Sequence, residues 1–290
     1  MLNYLADSVL CGFKKCQLSD STKFISTISG KIRVYDTESP KKVIIIVPDG
    51  PCVVEHYFEL IELLKPYFRV VCFDMPGFGF SYPSWKYNFS FAKTTKVLAS
   101  LFDALRIEKA SLAFSCANGF FAMDFAEKYP KKVSHLILSQ TPSLSAMGHW
   151  TQRIIPRSIQ TPIVGQMILA AKTKKIAQRW FDIALPRENV DKAFFVDRAN
   201  KAFTKGACFC LASIVQGLNK EKGNIFNIEI PSIAFYGTKD FSHKHTDFTS
   251  IRQHIPSCEL ISVECGHFPD LEKPDFFGEH ILEFVNKSGI

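Results

Sequence analysis

Apolar and polar residues alternate from Phe24 to Tyr35 on either side of Ser29-Gly30, the period-two pattern of an opening β-hairpin. The run Val43 to Val47 is continuously β-branched, as a strand covered on both faces requires, and it ends in the turn Pro48 to Cys52. A helix is predicted from His56 to Lys65, a second buried strand from Phe68 to Phe73, and another helix from Phe91 to Leu105. The apolar run Leu112 to Phe114 then stops at Ser115 and passes into Ala117 to Lys128, whose apolar residues recur at helical spacing. One more strand, Val133 to Leu138, completes an alternation of strands and helices that argues a parallel, doubly wound sheet.

The rhythm breaks at Thr141. From there to Asn224 the pattern is helical, with segments at Ile163 to Ala171, Ile176 to Ile183, Val190 to Phe203 and Cys208 to Leu218, separated by Pro156, Pro162 and Pro186. Alternation resumes with a strand at Ser232 to Tyr236, a helix near Thr246 to His254, a strand at Glu259 to Glu264 and a last helix, Phe276 to Asn286. The expected organisation is therefore an α/β core, residues 1–140 and 225–290, interrupted by a helical cap, residues 141–224.

At 290 residues the chain can bury one large α/β core with an inserted subdomain. Nine cysteines, among them Cys11, Cys16 and Cys208, are scattered and mostly lie in apolar runs, which fits reduced thiols in the cytoplasm better than a disulfide framework. No His/Cys spacing of a zinc site is visible, so neither metal nor cofactor is expected. No signal peptide is apparent at Met1, and no apolar run is long enough to cross a bilayer. The formal charge of +7 is concentrated: residues 141–224 hold thirteen basic residues against five acidic ones. Such a cap suits peripheral contact with anionic surfaces or a carrier-linked or CoA-linked partner, although a solvated lysine face has the same composition. Nucleic acid is not expected, because the basic residues show no aromatic interleaving.

Three positions carry candidate chemistry. Ser115 falls at a strand-to-helix corner, where a hydroxyl projects from the carboxyl edge of a sheet and the Cys116 N–H is free to meet developing negative charge. Its flanks, Ala113 and Ala117, are small. Cys116 itself would be the nucleophile if the register slid by one, with no gain in the fit of the flanks. Asp240 follows the strand Ser232 to Tyr236, and His267 follows the strand Glu259 to Glu264, so both fall at the same sheet edge. Asp247 is a rival to Asp240.

The loop Asp74 to Ser81 with its Pro76, Gly77 and Gly79, the corner at Ser115, the turn Gly237 to Asp240 and the stretch Gly266 to Pro274 together resemble the α/β-hydrolase superfamily. The likeness is to its lidded esterases, thioesterases and proline-iminopeptidase-like enzymes. That resemblance implies an α/β-hydrolase fold, a mostly parallel doubly wound sheet with an inserted cap. It implies Ser115 as nucleophile, His267 as general base and acid, and Asp240 as the carboxylate that holds the imidazole. By position the N–H groups of Gly50 and Cys116 would form the oxyanion hole. Asp49 departs from the family pattern, because a carboxylate there opposes a developing oxyanion. The implied activity is hydrolysis of a small-molecule or carrier-linked ester or thioester, its acyl chain lying against cap residues such as Ile154, Ile163, Met167, Ile168, Trp180, Phe181, Phe194, Phe203 and Phe209. Alternatives are an amidase or peptidase, or a ligand-binding relative with little turnover.

Overall fold

The computed structural model describes Val9 and residues 22–186, 191–203, 210–221 and 226–288. The expected helix starts at Val190 and Cys208, the cap boundary at Asn224, and Cys11, Cys16 and Phe209 lie outside the described residues.

The hairpin forms as β1 (Thr22–Thr27) and β2 (Gly30–Asp36). It is followed by β3 (Val43–Val47), α1 (Phe58–Leu64), β4 (Arg69–Phe73) and α2 (Phe91–Ala104). Next come β5 (Ala110–Ser115), α3 (Asn118–Lys128) and β6 (Val133–Ser139). In spatial order the sheet begins β1, β2, β4, β3 and then β5, β6. It continues with β7 (Ser232–Gly237) and β8 (Glu259–Val263), and every pairing from β4 to β8 is parallel. The chain moves outward from β3 to β4 and then crosses to β5 on the other side. The strand order thus reverses between β3 and β5, and α/β sheets bind ligands at such a reversal, beyond the carboxyl ends of the strands.

The β-branched run of β3 is covered on both faces. Ile45 and Val47 join an apolar cluster with Phe114 and Phe121, whereas Ile44 and Ile46 join one with Ala113 and Phe277. Two-residue alternation gives Ser115 the same face as Ala113. That face packs toward α1 and toward two C-terminal helices, α10 (Pro269–Glu272) and α11 (Pro274–Lys287).

Between β6 and β7 the described chain forms only helices: α4 (Leu144–Ile154), α5 (Arg157–Gln160), α6 (Val164–Ala171), α7 (Thr173–Ala184), α8 (Lys192–Phe203) and α9 (Cys210–Leu218). The first two escaped the periodicity. Ser143 caps α4 by accepting from the Ala146 N–H, a start signal that polar residues such as Thr151 and Gln152 obscure downstream. The element expected at Thr246 to His254 is a short 3-10 turn capped by Asp247.

Candidate active site

The decisive corner comes one residue later than the apolar pattern suggests. Ser115 is still the last residue of β5, paired with Ser139 on β6, and Cys116 takes a φ of 51°. That left-handed conformation is costly for a residue with a side chain, and it is the sharp turn by which a strand hands a reactive group to a helix. The two side chains leave the corner in different directions. The Ser115 hydroxyl donates to Asp270 Oδ2 at 2.6 Å, beneath the sheet edge, where the Tyr57 hydroxyl also donates to Asp270 at 3.0 Å. Burial pushes the Asp270 carboxyl up to about 6, against the two hydroxyls that stabilise its charge. The Cys116 side chain instead faces His267 and lines a cavity of about 600 Å3.

The structure therefore does not bring Ser115 to His267, contrary to the expectation from sequence. The small flanks at Ala113 and Ala117 centre on Ser115, whereas the left-handed corner falls at Cys116. Close approach is required at Gly119, where a Cβ would lie 2.4 Å from Thr141 Oγ1. Counting back from that glycine would have located the turn.

Asp240 and His267 do come together. His267 Nδ1 lies 2.5 Å from Asp240 Oδ2, which also accepts from Gln140 Nε2 at 2.7 Å. The other Asp240 oxygen accepts from the Ser242 N–H at 2.8 Å and hydroxyl at 2.7 Å. Burial works against the Asp240 charge, but the facing imidazole outweighs it and lowers the carboxyl to about 2. Asp247 is the exposed cap of the 3-10 turn and accepts from the Thr249 N–H. Gln140 is a residue that sequence reasoning missed. It sits just past β6 at φ 51° and also accepts from the Gly237 N–H at 2.9 Å, so it ties two strand ends to the carboxylate. Glu272 holds the histidine loop from below by accepting from the Gly266 and Phe268 N–H groups at 2.9 and 3.0 Å.

The other ring nitrogen of His267 is not free. Nε2 lies 3.0 Å from Asp49 Oδ2. The same Asp49 carboxylate accepts from the Gly50 N–H. Burial disfavours a charged imidazole, yet the two carboxylates prevail and hold the His267 pKa well above its ordinary value. Burial first, and then the Asp49 charge, push the Cys116 thiol up to about 11.

The expected oxyanion donors are likewise revised. The Cys116 N–H donates to the Ser139 carbonyl at 2.6 Å, because the backbone at the corner still follows the β5–β6 ladder, and it is unavailable to a substrate. The Gly50 N–H is engaged by Asp49. The Ala117 N–H instead faces the Cys116 sulfur from the start of α3.

One group of donors has the composition of a soft-metal site. Cys116 Sγ and a ring nitrogen of each of His243 and His267 lie within 4.8 Å of one another. Both His267 nitrogens already meet carboxylates, so a metal would have to displace Asp49 or Asp240 from the ring. Of the apolar residues expected along a substrate pocket, Ile154, Ile168 and Trp180 line the cavity. Phe181 and Phe203 are core, Phe194 packs against that core, and Ile163 and Met167 are exposed.

The model of the alpha/beta hydrolase fold family matches residues 42–274. The chain belongs to this family. Among relatives of this α/β-hydrolase family member, the poly(3-hydroxyalkanoate) depolymerase of Ectopseudomonas oleovorans is 30% identical over 240 residues, 81% of each chain. The 3-oxoadipate enol-lactonase 2 of Acinetobacter baylyi is 24% identical over 231 residues, 78% of this chain and 82% of that one. The crystal structure of ALR0039 from Nostoc sp PCC 7120 superimposes with a TM-score of 0.78 over 91% of this chain and 97% of that one, at 16% identity. Among the described residues no helix is long and apolar enough to cross a membrane.

Proposed function

We propose that this protein hydrolyses a carboxylic ester, thioester or lactone through the thiol of Cys116, with His267 moving the proton and Asp240 orienting the imidazole. The observation that carries the reading is Cys116 at the strained corner, open to the cavity and facing a histidine whose far nitrogen is fixed by a buried carboxylate. The relatives named for a lactonase and a depolymerase support a hydrolytic use of the fold. The helices of residues 141–224 act as the lid over the acyl group, and the six described free cysteines suit a reducing, cytoplasmic setting.

In the cycle, Asp49 first turns away from His267 Nε2, which leaves the imidazole neutral and able to take the Cys116 proton as the sulfur attacks the carbonyl carbon. The tetrahedral oxyanion meets the Ala117 N–H and, once Asp49 has turned away, the Gly50 N–H. Collapse expels the leaving alkoxide or thiolate, which takes the proton from His267. Water then attacks the thioester, gives a proton to His267 and releases the acid, and the proton returns to sulfur.

The test compares two single substitutions on p-nitrophenyl and thioester substrates, with iodoacetamide labelling read by mass spectrometry. Cys116→Ala should lose at least ~100-fold in turnover and the label at that position, whereas Ser115→Ala should stay within about tenfold of the parent. Loss of turnover in Ser115→Ala with Cys116→Ala fully active would overturn the assignment.

A second reading, a ligand-binding relative with little turnover, is favoured by Asp49 alone. Its carboxylate occupies both the imidazole nitrogen and the oxyanion donor that the cycle needs. Absence of turnover and of Cys116 labelling in folded protein would establish that reading instead.

A further inference from the structure

The cavity wall holds both a buried acid and solvent-exposed cations. Asp49 and Cys116 are buried, at 5% and 6% exposure. Arg153, Lys172 and Arg179 also line the cavity, and all three are exposed to solvent. They come from three places, the end of α4, the residue after α6 and the middle of α7, yet all three line the same cavity. Much of the remaining wall is apolar, with Met147, Ile168, Trp180, Leu211 and Val215.

Among the described residues none of the three cations forms an ion pair, and Arg153 Nη2 donates to the Ser242 carbonyl at 3.3 Å. Among the described residues Asp49 is the one acid on the cavity wall, and it is already held by His267. A solvated basic face would spread its charges along one helix surface. Here cations from separate elements line the solvent-exposed part of one mostly apolar cavity, where a low-dielectric wall concentrates their field.

We infer that the chamber binds an amphiphile: an apolar chain that reaches toward Cys116 and ends in a carboxylate or phosphate held among Arg153, Lys172 and Arg179. This deepens the hydrolase reading by naming its substrate class, and it rests on that reading for the reacting end. The volume of about 600 Å3 is that of an ordinary small-molecule site. The head group remains partly in water, so each cation adds a modest, salt-sensitive increment, and three together give about tenfold in affinity.

Calorimetric titration with decanoate, decyl phosphate and decanol, below their micelle-forming concentrations, separates charge from chain. At low ionic strength the wild-type protein should bind either or both anions about tenfold more tightly than the alcohol, and the preference should shrink as salt is raised. The triple variant Arg153→Gln, Lys172→Gln, Arg179→Gln alters exposed residues and should lose that preference while still binding decanol. Equal affinity for anions and alcohol in the wild type, or a preference that survives the triple substitution, would overturn the proposal. Because these are equilibrium measurements, they can fail while Cys116 remains the nucleophile, and they can succeed if Cys116→Ala shows that it is not.

Discussion

The Asp49 carboxylate contacts two groups that the proposed thiol chemistry needs, the His267 Nε2 and the Gly50 N–H. A negative charge there disfavours a second one on sulfur, which is part of why the Cys116 thiol stands near 11. Asp49→Asn removes the charge and keeps the shape, so the thiol should titrate lower, each unit giving about tenfold more thiolate at neutral pH. The pH dependence of iodoacetamide alkylation reads this directly, and an unchanged or slower rate would show that Asp49 does not restrain the sulfur. Beneath the corner, Asp270 makes a second prediction. Its folded pKa is raised to about 6 from 3.8, so the folded state holds a proton that the unfolded chain has released. The resulting stabilisation is complete below pH 3.8 and is lost as pH rises through about 6. Asp270→Asn should flatten the stability profile between these limits, measured by urea unfolding across pH. Position 116 also marks how far the sequence could be read at this scale. The residue types of the corner were legible, but the φ that turns the Cys116 side chain toward the cavity was not, because it follows from how far the β5–β6 ladder extends.

The handover from β5 to α3 depends on close packing against the end of β6. Gly119 is pressed on Thr141, whose hydroxyl donates to the Cys116 carbonyl at 2.9 Å and is 3.1 Å from the Ser139 carbonyl. Thr141 is pinned and cannot yield to a new methyl group. Gly119→Ala should therefore destabilise by about 1–3 kcal/mol, seen as a lower urea midpoint, and should slow alkylation of Cys116 by disturbing the corner. A variant as stable as the parent would show that the contact relaxes. Strands β3, β4 and β7 were readable because burial on both faces imposes continuous β-branched or aromatic runs. Helix α4 was not, since exposed Gln152 and Arg153 interrupt its apolar spacing within a short segment.

Across the molecule, one buried ion network ties together three distant stretches of chain. Arg33 on β2 donates to Asp74 after β4 at 2.8 Å and to both oxygens of Glu55 ahead of α1 at 2.5 and 2.8 Å. Asp74 also accepts from the N–H groups of Val54 and Phe80, at 3.1 and 3.0 Å. Arg33→Ala would leave Asp74 buried without its counter-charge and should cost about 3–5 kcal/mol. Thermal unfolding measures this, and a loss under about 1 kcal/mol would show that water or rearrangement supplies the missing partner.

The sequence by itself determined the alternation of strands and helices, the helical interruption and the residue types at three strand ends, because periodicity and turn chemistry are local properties of a chain. Only the tertiary structure decided which side chain at the corner faces the cavity, that Asp49 reaches the imidazole across 218 positions, and that three scattered cations line one cavity. Those outcomes depend on where ladders end and helices cross, and no local stretch of residues encodes either.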